Sequence, residues 1–270
     1  MKNFGIYLMA VILVIAGTAS GYEDSYIKRL PQKEIEIIGE LVFKNECASK
    51  DENIIAWNEG EDFMSLGIGH FIWYPAGSKD GFEESFPRFL KYAKASGERL
   101  PVWLDKTPQP ACPWRSREEF MASSKDKRLA ELRKFLTRTK TLQSAFIIKR
   151  LDDALPLILK SIPKEKRERI ALRFNRVAAT SDGIYALADY VNFKGLGILA
   201  SERYQGEGWG LLQVLENMKN DERDALKAFV RSANTVLEIR VKNAPANRDE
   251  KRWLPGWQSR INSYLKKLEG

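Results

Sequence analysis

From Gln32 to Glu46 the apolar positions Ile35, Ile38, Leu41 and Val42 recur at three- and four-residue steps. That spacing predicts an amphipathic helix with Pro31 just ahead of it and Glu46 at or near its end. The pattern then changes: residues 53 to 75 are rich in Trp, Phe, Ile and Gly and read as short strands and turns. Between Pro75 and Pro113 the punctuation by Gly77, Gly81, Pro87, Gly97, Pro101, Pro108 and Pro110 predicts a loop-rich stretch with one short helix near 88 to 94. Past Pro113, Ser116 and Glu119 stand at capping-box spacing ahead of a helical run through Phe120, Leu129, Leu132 and Leu136. Further helices are predicted near 142 to 160, 164 to 178, 181 to 191, 208 to 219, 221 to 242 and 256 to 267. The fold class is therefore mainly α (α+β), with a small hairpin lobe over about 47 to 113 and a helical lobe over about 114 to 270, and with no internal repeat.

Residues 1 to 20 follow a different logic. Lys2 supplies a positive start, Ile6 to Ala16 an apolar stretch, and Gly17 to Gly21 a run of small residues, the pattern of a cleaved export signal. The expected location is the periplasm or the extracellular space, with residues 21 to 270 as the mature domain and no transmembrane segment once the signal is removed. The chain carries 44 Lys and Arg against 36 Asp and Glu, a formal net charge of +8, of which the leader holds only Lys2. A basic balance favours an anionic neighbour, but the charges interleave along helices, as from Lys125 to Arg138, and no nucleic-acid-binding signature is present. Cys47 and Cys112 are an even pair in an exported chain, which predicts a disulfide between them.

The densest chemistry lies just after Glu46. Trp57, Glu59, Glu61, Asp62, Ser65, Gly67, Gly69, His70, Trp73 and Tyr74 fall within one strand-and-turn segment, and Gly-Ile-Gly at 67 to 69 lets backbone approach a ligand closely. Two carboxyls on separate elements facing one cleft suit cleavage of a glycosidic bond. Glu46, beside apolar helix positions, is the candidate proton donor, and Glu59 or Glu61 the candidate second carboxylate. His70 is the one histidine of the chain, which excludes a multi-histidine zinc site, and no Gly-x-Ser-x-Gly elbow supports a serine triad. No metal-ligand spacing, nucleotide loop or other cofactor motif is visible, so neither a metal nor a cofactor is expected.

Glu46 followed by Ser65-Leu66-Gly67-Ile68-Gly69-His70 resembles the lysozyme-like superfamily, most closely phage-type lysozymes and endolysins. Those proteins carry a catalytic glutamate at a helix end and then a hairpin bearing Thr-x-Gly-x-Gly-His, and Ser65 stands in the threonine place. The resemblance implies a lysozyme-like fold of two lobes with a small β hairpin beside the catalytic helix. It also implies Glu46 as general acid and Ser65 as the group holding water. Where that family has an aspartate six residues before the threonine, this chain has Glu59, with Glu61 and Asp62 as rivals.

A second constellation follows the helix predicted at 181 to 191. Asn192, Lys194, Tyr204, Gln205 and Trp209 combine amide, charge and aromatic surface of the kind that binds sugar hydroxyls and sugar faces, and Trp57, His70, Trp73 and Tyr74 could do the same from the hairpin. The activity expected is cleavage of the β-1,4 backbone of peptidoglycan by a monomer, as a hydrolase or as a lytic transglycosylase. Two alternatives stand beside it: a chitosanase- or chitinase-like hydrolase, and a lysozyme-like module that binds glycan or an envelope protein without cleaving it.

Overall fold

A computed structural model describes residues 25–78, 83–106, 108–219 and 223–268; the export signal expected at 1 to 20 lies outside them. The chain is mainly helical, with ten α-helices and two small antiparallel sheets among the described residues. Its helices are α1 (Gln32–Cys47), α2 (Phe86–Ala95), α3 (Arg117–Ala122), α4 (Lys127–Arg138), α5 (Lys140–Ser161), α6 (Lys164–Val177), α7 (Ser181–Lys194), α8 (Leu211–Asn217), α9 (Ala225–Asn243) and α10 (Leu254–Ser263). No helix among the described residues is long and apolar enough to cross a membrane.

α1 buries Ile35, Ile38 and Val42 along the stripe that the sequence pattern gives, and it stops abruptly. Ala48 and Ser49 turn into the left-handed region at φ +52 and +56, so that Ala48 N–H reaches Lys44 O and Ser49 N–H reaches Phe43 O. Two successive non-glycine residues there store strain, on the order of 1–2 kcal/mol each. The reversal leaves Glu46 in the last turn and sends the chain directly into the hairpin sheet.

That sheet is β1 (Ile55–Ala56), β2 (Met64–Leu66) and β3 (Phe71–Trp73), in the order β1-β2-β3, with Ser65 opposite both Ala56 and Ile72. Its two faces differ because side chains alternate along a strand. Met64, Leu66, Phe71 and Trp73 turn into the core, where Phe71 stacks on Phe89 at 5.2 Å and Trp73 meets Phe86 at 4.9 Å. Ser65 and Ile72 share the other face.

The β2–β3 turn is clamped by α5. Gln143, fully buried, accepts from Ile68 N–H at 2.8 Å and donates to Leu136 O and to Thr139 Oγ1. Gly67 permits this: its φ is +73, and a Cβ there would stand 2.3 Å from Gln143 Oε1. Gly67→Ala is expected to lower stability by roughly 1–3 kcal/mol, since it adds left-handed strain and displaces the Gln143 side chain that accepts from the Ile68 amide. A urea midpoint unchanged from wild type would contradict that role for the turn.

The helical run predicted from Ser116 to Leu136 is broken. Ser116 caps α3 as expected, but the Asp126 carboxylate accepts from Arg128 N–H and starts α4 anew. A second hairpin, β4 (Arg203–Tyr204) and β5 (Glu207–Gly208), fills the stretch ahead of α8; its two-residue loop has Gln205 at φ +51 and Gly206 at φ +84, both of the sign a tight hairpin turn needs. One contiguous cluster of buried residues runs from Leu30 to Tyr264 through the hairpin and the helices.

Candidate active site

The end of α1, the β2–β3 turn, α7 and α10 meet around Glu46. Asn192 Nδ2, from the last turn of α7, donates to Glu46 Oε1 at 3.2 Å and to Gly69 O at 3.0 Å, joining the helix end to the glycine turn. His70, held at φ +47, places Nδ1 3.7 Å from Glu46 Oε2. From α10, Arg260 Nη2 reaches Glu46 Oε1 at 2.7 Å while its Nε and Nη2 grip the fully buried Asp189 at 2.8 and 2.7 Å. Tyr264 donates to the same aspartate at 2.5 Å and Asn45 at 3.4 Å. Burial on its own would lower the Arg260 pKa, but Asp189 and Glu46 outweigh it and hold the guanidinium firmly charged. The Glu46 side chain retains 15% of its exposure.

Beside this network lies a cavity of about 440 Å³. His70 and Asn192 form the part of its wall that touches Glu46, with Gly69 beside them, and Ile72 of β3 and Phe63 just ahead of β2 line it from the hairpin. Its acidic groups are Glu61, Glu83 and Glu202, and its basic groups are Arg150, Lys194 and Arg240 together with the His70 imidazole. Burial raises the pKa of Glu61 against opposing hydrogen bonds from Asn58. Burial likewise raises that of Glu202, although it accepts from the Leu199 amide at 3.0 Å. Desolvation lowers Arg150, which bonds Asn192 Oδ1 at 3.4 Å, and lowers Lys194 well below the usual lysine value, with Arg240 and Arg260 adding repulsion. Among the described residues no group of three or more His, Cys, Asp and Glu side chains could hold a metal ion.

The residues singled out from the sequence divide by location. Glu61, His70, Asn192, Lys194 and Trp209 line the cavity, and Ser65 shares the sheet face of cavity-lining Ile72. Glu59 is exposed in the turn after Trp57, away from the wall. Trp57 is buried and donates from Nε1 to Glu61 O at 2.7 Å, so it fixes the backbone of that carboxyl. Trp73 is fully buried in the core, and Tyr74 is buried with its ring edge-on to Phe63 at 5.4 Å. Tyr204 leans on Trp209 at 4.4 Å and donates to Glu250 at 2.9 Å, while Gln205 is exposed at its turn. Arg260, Asp189, Arg150, Arg240, Glu202 and Phe63 complete the site. Asp189, on the apolar face of α7, is the one whose pattern could have flagged it: a lone carboxylate among buried helix positions needs a cation.

The expected Cys47–Cys112 disulfide is not formed; both cysteines are free and buried. Cys47 Sγ sits at the turn end of the hairpin, 3.7 Å from Gly67 O, whereas Cys112 Sγ packs at the open end, 3.2 Å from Met64 Sδ. Those anchor points are three residues apart along β2, about 10 Å at ~3.3 Å per residue, beyond the reach of a bridge. Cys47 Sγ also lies 3.5 Å from His70 Nε2, which gives Cys47, His70 and Glu46 the connectivity of a nucleophile, base and orienting acid. Burial, however, pushes both thiols from 9.0 up to about 12, so Cys47 has no thiolate to attack with.

The folded chain thus keeps thiol protons that the unfolded chain releases. Stability on this account is full below pH 9 and is lost as pH rises toward about 12. Urea midpoints should fall across that window, less steeply in a Cys47→Ala/Cys112→Ala double variant, and the native thiols should resist a thiol reagent near neutral pH. Rapid labelling without denaturant would contradict this. Compared with protein-family models, curated proteins and solved structures, the chain matches none of them.

Proposed function

We infer that the protein is an exported glycan-cleaving enzyme acting on the β-1,4 backbone of peptidoglycan, with Glu46 as general acid. The observation that carries this reading is the pair of hydrogen bonds that Asn192 Nδ2 donates to Glu46 Oε1 and Gly69 O, which ties a helix-end glutamate and a glycine turn to one cavity wall, Asn192 lying 146 positions from Glu46 in the chain. Strained backbone at Ala48 and Ser49, directly after Glu46, and at His70 beside it adds to this, since such conformations persist where geometry is held for a task. For the second carboxyl, Glu61 is favoured over Glu59 because it lines the cavity, and its burial-raised pKa suits a group that takes up and returns a proton. Ser65, on the same sheet face as Ile72, would hold the water.

The balanced wall charges, with Arg150, Lys194 and Arg240 against Glu61, Glu83 and Glu202, lack the acidic excess that cationic chitosan would demand. Peptidoglycan is therefore preferred. A second reading, a module that binds glycan without cleaving it, draws on the Arg260 ion pair at 2.7 Å that occupies Glu46 Oε1. Dye release from labelled peptidoglycan and from labelled chitosan, run in parallel, tests both: release from peptidoglycan alone is expected. Release from chitosan alone would move the substrate, and retention of protein on either polymer without release would favour the binding module.

A further inference from the structure

Lys194, the last residue of α7, is the one basic residue of the cavity wall without a carboxylate partner among the described residues. Arg240 pairs with Glu250 at 2.7 Å, and Arg150 lies 3.8 Å from Glu83. Lys194 keeps only 9% of its exposure, and its side chain makes no hydrogen bond or ion pair among the described residues; the Nζ rests on ring faces, 3.5 Å from the Trp257 centroid and 3.9 Å from that of Phe193. Glu46 and Glu250 act on it only from a distance, each held by its own arginine. Ring faces compensate part of the lost hydration of an ammonium, but they leave its donors unfilled. Burial and the neighbouring arginines disfavour the charged form of this amine, and an anion brought into the cavity would favour its protonated form and fill its donors.

The geometry points to Lys194 as a subsite for a carboxylate carried by the ligand, so that the cavity selects an acidic glycan over a neutral one. This rests on the glycan-cleaving reading for the ligand's identity. The carboxylate has two sources: an acid group borne by the sugar ring itself, or the terminus of a peptide attached to it. Lys194 is then a specificity-determining residue that holds no role in proton transfer. Its place at the end of α7, two residues after Asn192, fixes the subsite relative to Glu46, because Asn192 bonds that carboxyl directly.

Calorimetric titration of the wild-type protein and of Lys194→Met, which keeps a long apolar stem between the two rings, tests this with three ligands. They are chitobiose, an N-acetylglucosaminyl–N-acetylmuramic acid disaccharide with its free carboxylate, and the same disaccharide amide-linked to a dipeptide with a free C-terminus. At least one acidic ligand should bind the wild type about tenfold more tightly than chitobiose, and the preference should vanish in the variant while chitobiose affinity is kept. Which of the two acids is preferred identifies the source. Binding of these ligands by the wild type with no preference for either acid, or a preference that survives in Lys194→Met, overturns the subsite.

A second measurement needs neither a variant nor a glycan. The Lys194 Cε resonance of the wild-type protein should move saturably with acetate and stay still with acetamide. Equal response to both, or none, overturns the subsite whatever the glycans do. A saturable acetate response with no binding of any glycan would keep the subsite and remove the glycan reading.

Discussion

Glu46→Gln should release soluble fragments from peptidoglycan 10²- to 10⁴-fold more slowly than the wild type, on the order expected for losing a general acid, while sedimenting with the polymer equally well. Glutamine is chosen because it preserves volume and an acceptor for the Arg260 and Asn192 donors at 2.7 and 3.2 Å. Asp189 still neutralises Arg260 in the variant, so the fold should survive and the loss should fall on turnover rather than on binding. Thermal melting beside the rate measurement separates the two. Wild-type turnover in Glu46→Gln would remove Glu46 from the chemistry and direct attention to Glu61.

Asp189→Ala should be the most destabilising single change in the site. The aspartate is fully buried and holds Arg260 through two bonds and Tyr264 through a third. Without it a guanidinium with 10% side-chain exposure keeps only Glu46 as counter-charge. Breaking a buried pair by removing one partner typically costs about 3–5 kcal/mol, because the surviving charge remains desolvated. Equilibrium urea denaturation checks this, and a loss below about 1 kcal/mol would mean that α10 does not depend on the pair. Cleavage should fall too, through displacement of Arg260 against Glu46.

Much of this architecture is legible in the chain because it is local. Ile35, Ile38 and Val42 mark the buried stripe of α1, and the glycines at 67 and 69 mark the turn that follows β2. The break between α3 and α4 is masked in the sequence because Leu129, Leu132 and Leu136 continue the helical spacing across it; Asp126, a capping residue standing inside an apparent helix, is the sign of it. The hairpin at 203 to 208 escaped because its turn is Gln-Gly, without the Asn or Asp that advertises such loops.

The site itself divides along the same line. Glu46, His70 and Glu61 come from one segment and could be grouped by sequence, whereas Arg260 meets Glu46 from 214 positions away and no local pattern joins them. Burial reversed other expectations. Trp73 and Trp57 are aromatic residues of a hairpin, a type that serves sugar faces and cores alike, and here both are buried. An even cysteine count similarly says nothing about distance, and the two thiols occupy opposite ends of one hairpin.

The most direct test of the account is to incubate the purified protein with peptidoglycan and to analyse the soluble products by mass spectrometry beside the Glu46→Gln variant. Muropeptides from the wild type and none from the variant are predicted, with reducing ends identifying a hydrolase and anhydro ends a transglycosylase. Protein sedimenting with the polymer while neither sample yields fragments would contradict the catalytic reading of Glu46 and leave a glycan-binding module.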